Sequence, residues 1–330
     1  MGLLIDGEWR PDRSMPSEDT AADAFERMPT TFRDRIASDG THPPASNRYH
    51  LYISRACPWA HRTAIVRELN GFTDTISMDI VDPIRFEDGW RFSPAKPDCT
   101  DDRIHGADYL RELYQRADPT VTGKVSVPVL WDPKEDTIVN NESADIIQLL
   151  DQELAEYATH DITLFPDDLP VVDTIETIYE PINNGVYRTG FARAQSAYDE
   201  AVSALFEALD HWNDVLATQR YLCGERLTAA DICLFTTLYR FDEIYHTHFM
   251  CNKRRLVDYE HLWGHTREIY QLPGVAKTCN MDHCKQHYYR THTETNPSGI
   301  VATGPGPDFT APHERDRLDG APPAVLIEAD

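Results

Sequence analysis

The sequence predicts an α/β domain followed by an all-α domain, and three observations on the 330-residue chain support this. Strand-like and helical apolar patterns alternate within residues 46–160. Beyond about residue 165, strand patterns vanish and long helical patterns replace them. Hydrophobic residues make up 41% of the chain, which indicates a globular protein large enough for two domains. We therefore expect an N-terminal extension (1–45), an α/β domain (46–160) and a helical domain with a C-terminal tail (161–330).

The α/β domain is predicted to begin with a parallel βαβ unit. Residues 11–48 before it are polar and indicate an extended arm with one short helical patch at 21–28. Alternating apolar residues predict a strand at 49–54. Pro58 then stands where a first helical turn tolerates proline, and helical spacing follows it. An apolar strand at 76–81 completes a right-handed unit of two parallel strands around one helix.

The remaining elements of this domain are a hairpin and a helix. Residues 82–120 lack a regular pattern, and a loop of that length is usually functional or inserted. VSVPVLWD (125–132) and TIVN (137–140) flank the turn PKED and predict an antiparallel hairpin. Ser143 is the expected cap of a following helix over 144–154. Strand, helix, strand, hairpin and helix is the element order of a thioredoxin-like domain.

The second domain is predicted to be all helical. Residues 172–190 and 196–219 have helical patterns, and the second pattern has one apolar face along its length. Thr228 and Asp231 have the spacing of a capping box, which predicts that a buried helix begins there. The tail from Asn296 has the composition of a loop and is expected to pack over the surface.

The formal net charge of −24 restricts the partners of the protein. Its 55 acidic residues against 31 basic ones repel nucleic acid and anionic membranes, so we expect neither as a partner. Because the acidic residues are spread along the chain, they indicate a halophilic protein. Neither a signal peptide nor an apolar run long enough to span a membrane is evident. Seven cysteines at irregular spacing favour reduced thiols, so we expect a cytoplasmic protein.

The stretch RACPWAHR contains the strongest candidate for chemistry, Cys57. A cysteine at a helix start faces unpaired backbone N–H groups and the positive end of the helix dipole, which stabilise the thiolate. The alternative is a buried structural cysteine, but the Cys-Pro sequence between a strand and a helix favours a reactive one. Position 60 is alanine rather than a second cysteine. A disulfide formed at Cys57 therefore needs an external thiol to resolve it.

Two further motifs suit a thiol that carries a γ-glutamyl group. Pro128 interrupts a strand-like run, which in a thioredoxin-like domain is typical of a cis proline facing the active cysteine, although sequence alone leaves the isomer open. The backbone of Val127 offers pairing to an extended, peptide-like ligand. Ser143 at a helix start offers donors to a carboxylate, and Glu142 offers an acceptor to an α-ammonium group. A plain helix cap explains the Glu-Ser pair equally well.

Taken together, these stretches resemble the glutathionyl-hydroquinone reductases, also called Xi-class glutathione transferases, over nearly the whole chain. Six motifs carry the resemblance: CPWAHRT (57–63), VSVPVLWD (125–132), IVNNES (138–143), NNGVYRTGF (183–191), LFTTLYRFDEIYHTHF (234–249) and HYYRTH…NPSGIV (287–301). Omega-class transferases share only the cysteine, the proline and the Glu-Ser pair. The resemblance implies a thioredoxin-like domain followed by a helical one, an enzyme with no tightly bound cofactor or metal, and a homodimer.

The resemblance also implies roles for individual residues. Cys57 corresponds to the nucleophile of the family. Six residues fall at thiol-cosubstrate positions: Trp90, Lys124, Val127, Pro128, Glu142 and Ser143. Tyr187, Tyr245 and Tyr288 match catalytic tyrosines that line the pocket for the aromatic substrate and donate to the departing hydroquinone oxygen. Each tyrosine alone is more often an ordinary packing residue.

The implied reaction is thiol–disulfide chemistry at a thioether. The Cys57 thiolate attacks the sulfur of a glutathionyl-hydroquinone, releases hydroquinone and keeps a mixed disulfide, which a second thiol resolves. The cosubstrate implied by the resemblance is glutathione, and γ-glutamylcysteine is the alternative if the composition reflects an extreme halophile. The Glu142-Ser143 motif and Val127 recognise only the γ-glutamyl and cysteinyl parts that both thiols share. We therefore expect activity with γ-glutamylcysteine.

Two other functions are also compatible with the sequence. An Omega-like thioltransferase or dehydroascorbate reductase shares the active-site cysteine, although the aromatic residues favour an aromatic substrate. A non-catalytic binding protein shares the fold, although the intact cysteine, proline and Glu-Ser motifs argue against it.

The stretch CNMDHCKQH places four metal-ligating side chains at helical spacing: Cys279, His283, Cys284 and His287. It lacks the paired short spacing of structural zinc sites, so no metal is expected.

Overall fold

The structure, a computed structural model, describes residues 2–12, 24–25 and 27–326. These residues form two compact units. The first contains 2–12, 27–159 and 282–287, and the second contains 24–25, 160–281 and 288–326. A four-stranded sheet with helices builds the first unit, and helices build the second. The predicted α/β and all-α classes are confirmed.

The described N-terminus forms a short β-hairpin that is not among the predicted elements. Strand β1 (Leu3–Ile5) pairs antiparallel with β2 (Glu8–Arg10). Asp6 and Gly7 make the turn with positive φ angles of 48° and 75°. An Asp-Gly pair between two strands is the sequence signal for such a hairpin. Gly7 is required because a Cβ there would lie 1.9 Å from the carbonyl oxygen of Pro119.

The central sheet of the first unit has four strands. β3 (His50–Ile53) and β4 (Ser77–Ile80) are parallel and are connected by helix α1 (Pro58–Leu69), as predicted. β5 (Val129–Asp132) lies antiparallel to β3 and forms the predicted hairpin with β6 (Thr137–Asn140). The order across the sheet is β4-β3-β5-β6. The ends of β3 and β6 and the start of β5 therefore meet at one end of the sheet.

Two expectations about the irregular segments change. The segment 82–120 contains helix α2 (Leu110–Ala117), so the expectation of an irregular segment is wrong at this end. The carboxylate of Glu112 accepts a hydrogen bond from the backbone N–H of Tyr109, which fixes the start of α2. The helix has only two turns, so its apolar periodicity is too short to stand out in the sequence. Of the helical patch expected at 21–28, residues 21–23 and 26 lie outside the described residues, and the others are not helical.

The helices that follow the sheet are interrupted by wider turns. α3 (Ser143–Gln148) continues as a π-helical segment (Leu149–Glu153). The helices of the second unit are α4 (Val171–Ile178), α5 (Gly185–Gly190), α6 (Gln195–Val215), α7 (Ala229–Arg240), α8 (Glu260–Gln271) and α9 (Val275–Thr278). π-helical segments follow α4 (Tyr179–Asn183) and α7 (Phe241–Tyr245), and the latter leads into one short turn (His246–His248). Helix α10 (Met281–Thr291) contributes residues to both units. None of the described helices combines the length and hydrophobicity that a bilayer crossing requires.

The predicted capping box starts α7. Asp231 accepts hydrogen bonds from the backbone N–H of Thr228 at 2.9 Å and from its hydroxyl at 3.0 Å. The other carboxylate oxygen accepts from the backbone N–H of Leu222 at 2.8 Å and lies 2.9 Å from Nε2 of His265. Asp231 thus fixes both the start of α7 and its contacts with the preceding loop and α8, and every residue of α7 is buried.

The C-terminal tail is attached to the helical unit through Arg315, which is buried. Its guanidinium donates to the carbonyls of Leu216 at 3.1 Å and of Gln219 and Arg220 at 2.6 Å each. These carbonyls lie just beyond the end of α6, where backbone acceptors lack helical partners. The tail therefore packs on the surface, as expected, but its Arg315 guanidinium is buried in the interior.

Candidate active site

Cys57 lies at the N-terminus of α1, where the loop after β3 enters the helix. It is the N-cap residue, with extended φ and ψ of −78° and 121°, and Pro58 follows in the first turn. The backbone N–H of Cys57 donates to the carbonyl of Ser54 at 3.1 Å, which folds the loop tightly against the strand end. The side chain is half-buried, and its Sγ lies 3.6 Å from the carbonyl oxygen of Val127. The peptide bond between Val127 and Pro128 is cis.

The Glu-Ser motif lies at the same end of the sheet, where β6 leads into α3. The structure corrects the predicted cap, because Glu142 rather than Ser143 is the N-cap residue. The longer carboxylate reaches the backbone N–H of Ala144 at 3.3 Å and the hydroxyl of Ser143 at 3.4 Å. Asn140 accepts from the backbone N–H of Glu142 at 2.7 Å. The helix start thus presents a carboxylate and a hydroxyl side by side.

Trp90 and Lys124, the other predicted thiol-binding residues, also belong to the first unit. Trp90 is buried in the loop before α2, and its carbonyl accepts from the backbone N–H of Leu110 at 2.9 Å. Its Nε1 has no hydrogen-bond partner within the part of the chain described. Lys124 is half-buried and follows Gly123, whose backbone pairs with Leu4. The positive charge of Lys124 at this position can attract a carboxylate group of the thiol.

The three predicted tyrosines form one hydrogen-bonded cluster in the second unit. The hydroxyl of Tyr288 lies 2.6 Å from that of Tyr187 and 3.0 Å from that of Tyr245. Burial raises the pKa of Tyr245 and of Tyr288 well above the usual value for a phenol. The Arg240 guanidinium opposes this increase, but burial outweighs it for both phenols. Both phenols are therefore neutral near pH 7 and are able to donate hydrogen bonds.

Phe249 and Phe191, which are not among the predicted site residues, pack around this cluster. The ring of Phe249 lies 5.5 Å from that of Tyr187 and 5.6 Å from those of Tyr245 and Tyr288. Phe191 packs against Phe249 at 4.9 Å. Gly190 precedes Phe191 and allows this packing, because a Cβ at position 190 would lie 2.2 Å from the Phe249 ring. Both phenylalanines end motifs of the family resemblance, which was the only sequence signal for them.

Both histidines and one of the two cysteines of the CNMDHCKQH stretch contact backbone carbonyls. Nε2 of His283 lies 2.9 Å from the Pro97 oxygen, and Nδ1 of His287 lies 2.6 Å from the Pro83 oxygen. The thiol of Cys284 donates to the carbonyl of Arg55 at 3.6 Å. Within the described ranges, no group of three or more metal-ligating side chains is arranged around a common point.

Family profiles match both units. Residues 56–153 match the glutathione S-transferase N-terminal domain, and residues 195–268 match the glutathione S-transferase C-terminal domain. Among curated relatives, the glutathionyl-hydroquinone reductase YqjG of Escherichia coli K12 is 45% identical over 326 residues, covering 96% of this chain and 99% of that protein. The glutathionyl-hydroquinone reductase PcpF of Sphingobium chlorophenolicum is 44% identical over 307 residues, covering 92% and 96%.

Solved structures of similar proteins agree with these matches. The Xi-class glutathione transferase of Natrialba magadii has a TM-score of 0.92 and 55% identity, covering 97% of this chain and 98% of that one. The glutathione-bound structure of YqjG has a TM-score of 0.86 and 43% identity, covering 96% and 99%. The predicted family is confirmed: the chain belongs to the Xi-class glutathione transferases, the family of the glutathionyl-hydroquinone reductases.

Proposed function

We propose that the protein is a thiol-dependent reductase that removes the glutathionyl or γ-glutamylcysteinyl group from S-conjugated hydroquinones through a mixed disulfide on Cys57. The observation that carries the proposal is the position of the Cys57 thiol, at the N-terminus of α1 and 3.6 Å from the Val127 carbonyl. The N-terminus of a helix is the positive end of its dipole, which suits a sulfur nucleophile at this position. Two relatives with 44–45% identity are named glutathionyl-hydroquinone reductases, which supports the same chemistry.

The groups at this end of the sheet match the polar groups of a γ-glutamyl thiol. The backbone of Val127 precedes β5 and offers main-chain hydrogen bonds to the cysteinyl part of an extended ligand. The Glu142 carboxylate has acceptor capacity beyond its two contacts and suits the α-ammonium group. The Ser143 hydroxyl and the N-terminus of α3 suit the α-carboxylate. A relative of this chain, YqjG, has a glutathione-bound structure.

The first step forms one sulfur–sulfur bond and breaks one carbon–sulfur bond. The Cys57 thiolate attacks the thioether sulfur of the conjugate, and the ring carbon leaves with the electron pair of the broken bond and takes up a proton. The ring is thereby reduced to free hydroquinone, while the two sulfurs are oxidised to a mixed disulfide. We assign hydrogen-bond donation to the departing hydroquinone oxygen to the cluster of Tyr187, Tyr245 and Tyr288, and the proton on the ring carbon to water.

The second step restores the enzyme with an external thiol. A second cosubstrate thiolate attacks the mixed disulfide, forms the cosubstrate disulfide and releases the Cys57 thiolate. Ala60 occupies the position of the resolving cysteine in a Cys-x-x-Cys motif, so the active-site turn itself supplies no resolving thiol.

We further propose a halophilic, cytoplasmic homodimer. The net charge of −24 supports function in high salt, where screening reduces self-repulsion. All seven cysteines are free thiols, which suits a reducing compartment. The resemblance to the Xi class supports the dimer.

A substrate panel distinguishes this function from that of an Omega-like thioltransferase. We expect the glutathione conjugate of menadiol to be turned over at least about tenfold more efficiently, by kcat/KM, than dehydroascorbate or a small mixed disulfide, since only the conjugate carries an aromatic ring. The assay measures initial rates at high salt with each substrate over a concentration series. Higher efficiency with dehydroascorbate would favour the Omega-like function, and thiol binding without any turnover would favour the non-catalytic alternative.

The choice of thiol is a separate prediction. We expect γ-glutamylcysteine to support turnover of γ-glutamylcysteinyl-menadiol at a rate comparable to that of glutathione with its own conjugate. The reason is that Val127, Glu142 and Ser143 address groups that the two thiols share. The measurement compares kcat/KM for the two matched pairs of thiol and conjugate. Turnover with glutathione alone would show that the terminal glycine is required and would contradict the prediction.

A further inference from the structure

Residues of helix α10 contact loops of the first unit, which is the thioredoxin-like one. Residues 282–287 of this helix belong to that unit. His283 and His287 lie one turn apart and contact the carbonyls of Pro97 and Pro83, respectively. Because a carbonyl oxygen only accepts, the His287 ring carries a hydrogen on Nδ1. The two histidines of the CNMDHCKQH stretch are therefore engaged by backbone oxygens.

His287 makes a second contact that His283 does not. Its imidazole stacks on the indole of Trp90, with ring centroids 5.1 Å apart and ring planes 14° from parallel. The Arg85 guanidinium also lies over the Trp90 ring, 5.1 Å from its centroid. Both contacts engage the face of the indole. The Nε1–H on its edge has no partner among the described residues, which is unusual for a buried donor.

We infer that His287 is a positioning residue for the thiol cosubstrate and acts through Trp90. This rests on the proposed function, in which Trp90 belongs to the thiol-binding residues. The hydrogen bond to the Pro83 carbonyl holds the imidazole of His287 against the loop that contains Pro83 and Trp90. The stacked imidazole in turn fixes the plane of the indole. The indole N–H is thereby held ready for an acceptor on the thiol, such as a peptide carbonyl or a carboxylate. Satisfying this buried donor contributes to binding.

Histidine is suited to this position because one flat ring fulfils both requirements. Phenylalanine would preserve the stacking but would leave the Pro83 carbonyl without its donor. Leucine would preserve neither. The three side chains therefore separate the contribution of stacking from that of the hydrogen bond.

A double-mutant cycle tests the inference. The binding of S-methylglutathione, which cannot be oxidised to a disulfide, is measured by titration calorimetry for the wild type, His287→Leu, Trp90→Leu and the double variant. We expect each single variant to bind about tenfold more weakly, and the double variant to bind less than about twofold more weakly than Trp90→Leu alone. His287→Phe should recover part of the affinity. The steady-state KM for the thiol should rise with little change in kcat.

His283→Leu is the matched control, since it removes a carbonyl contact from the same helix without touching Trp90. It should bind S-methylglutathione like the wild type, and thermal unfolding verifies that each variant is folded. If His287→Leu does not fold, His287→Phe completes the same cycle. Three results would overturn the inference. They are losses of affinity that multiply in the double variant, wild-type affinity of His287→Leu, and a loss of affinity in His283→Leu as large as that in His287→Leu.

The proposed function has its own outcome in these experiments. If Trp90→Leu binds like the wild type, Trp90 lies outside the thiol site, and the inference fails while turnover of the conjugate still supports the reductase. If the wild type neither binds the thiol nor turns over any conjugate, the proposed function fails.

Discussion

Replacing Cys57 by alanine is expected to lower turnover of the glutathione conjugate of menadiol by roughly a thousandfold or more. The proposed reaction has no other nucleophile for the thioether sulfur, and the binding groups at Val127 and Glu142 do not form the sulfur–sulfur bond. The N-cap position tolerates alanine structurally because the Cys57 side chain caps no backbone N–H of α1. The measurement is the initial rate of menadiol release at saturating thiol and high salt.

Cys99→Ala is the matched control for this variant. Cys99 is also a half-buried thiol of the first unit, but burial raises its pKa to about 11, so it is protonated at neutral pH. We expect this variant to keep wild-type turnover. Retained turnover in Cys57→Ala would contradict the thiolate mechanism. An equal loss in both variants would assign the effect to the removal of any thiol from this unit.

Replacing Asp231 by alanine is expected to lower the free energy of unfolding by about 3–5 kcal/mol. Its buried carboxylate accepts hydrogen bonds from Thr228 and Leu222 and lies 2.9 Å from Nε2 of His265. Alanine would leave these donors unpaired in the interior and would remove the cap of α7. The measurement is urea unfolding at constant salt, with a lower midpoint expected.

Asp258→Ala provides the comparison, because Asp258 is an exposed carboxylate of the same unit that pairs with Arg255 on the surface. Exposed ion pairs contribute little to stability, so we expect almost no shift of the midpoint. A shift as large as that of Asp231→Ala would indicate that lost negative charge, rather than lost hydrogen bonds, determines the result. An unchanged midpoint in Asp231→Ala would contradict the role of the capping box.

The features that the sequence predicts well are those with a local signal. The Cys-Pro pair between a strand and a helix and the Thr228–Asp231 spacing each contain their whole pattern within a few residues, and both appear as expected. The βαβ unit and the hairpin likewise follow from adjacent apolar runs. The turn at Asp6-Gly7 also has a local signal, because an Asp-Gly pair between two strands favours a hairpin.

The features that the sequence does not predict depend on residues far apart in the chain. Trp90 and His287 stack although a large part of the chain separates them, and neither side chain indicates the other. Each tyrosine of the cluster has the pattern of an ordinary packing residue, and only the fold brings the three hydroxyls within hydrogen-bonding distance. Glu142 replaces Ser143 as the cap of α3 because its longer side chain reaches the Ala144 N–H, a geometric outcome that propensities leave open.

The most direct test of the central claim is a single turnover without added thiol. Reduced protein is mixed with an equimolar amount of the glutathione conjugate of menadiol, quenched in acid, digested and analysed by mass spectrometry. We predict that one equivalent of menadiol is released and that one glutathionyl group is attached to the peptide containing Cys57. Release of menadiol without a modified cysteine, or with the glutathionyl group on another cysteine, would contradict the account.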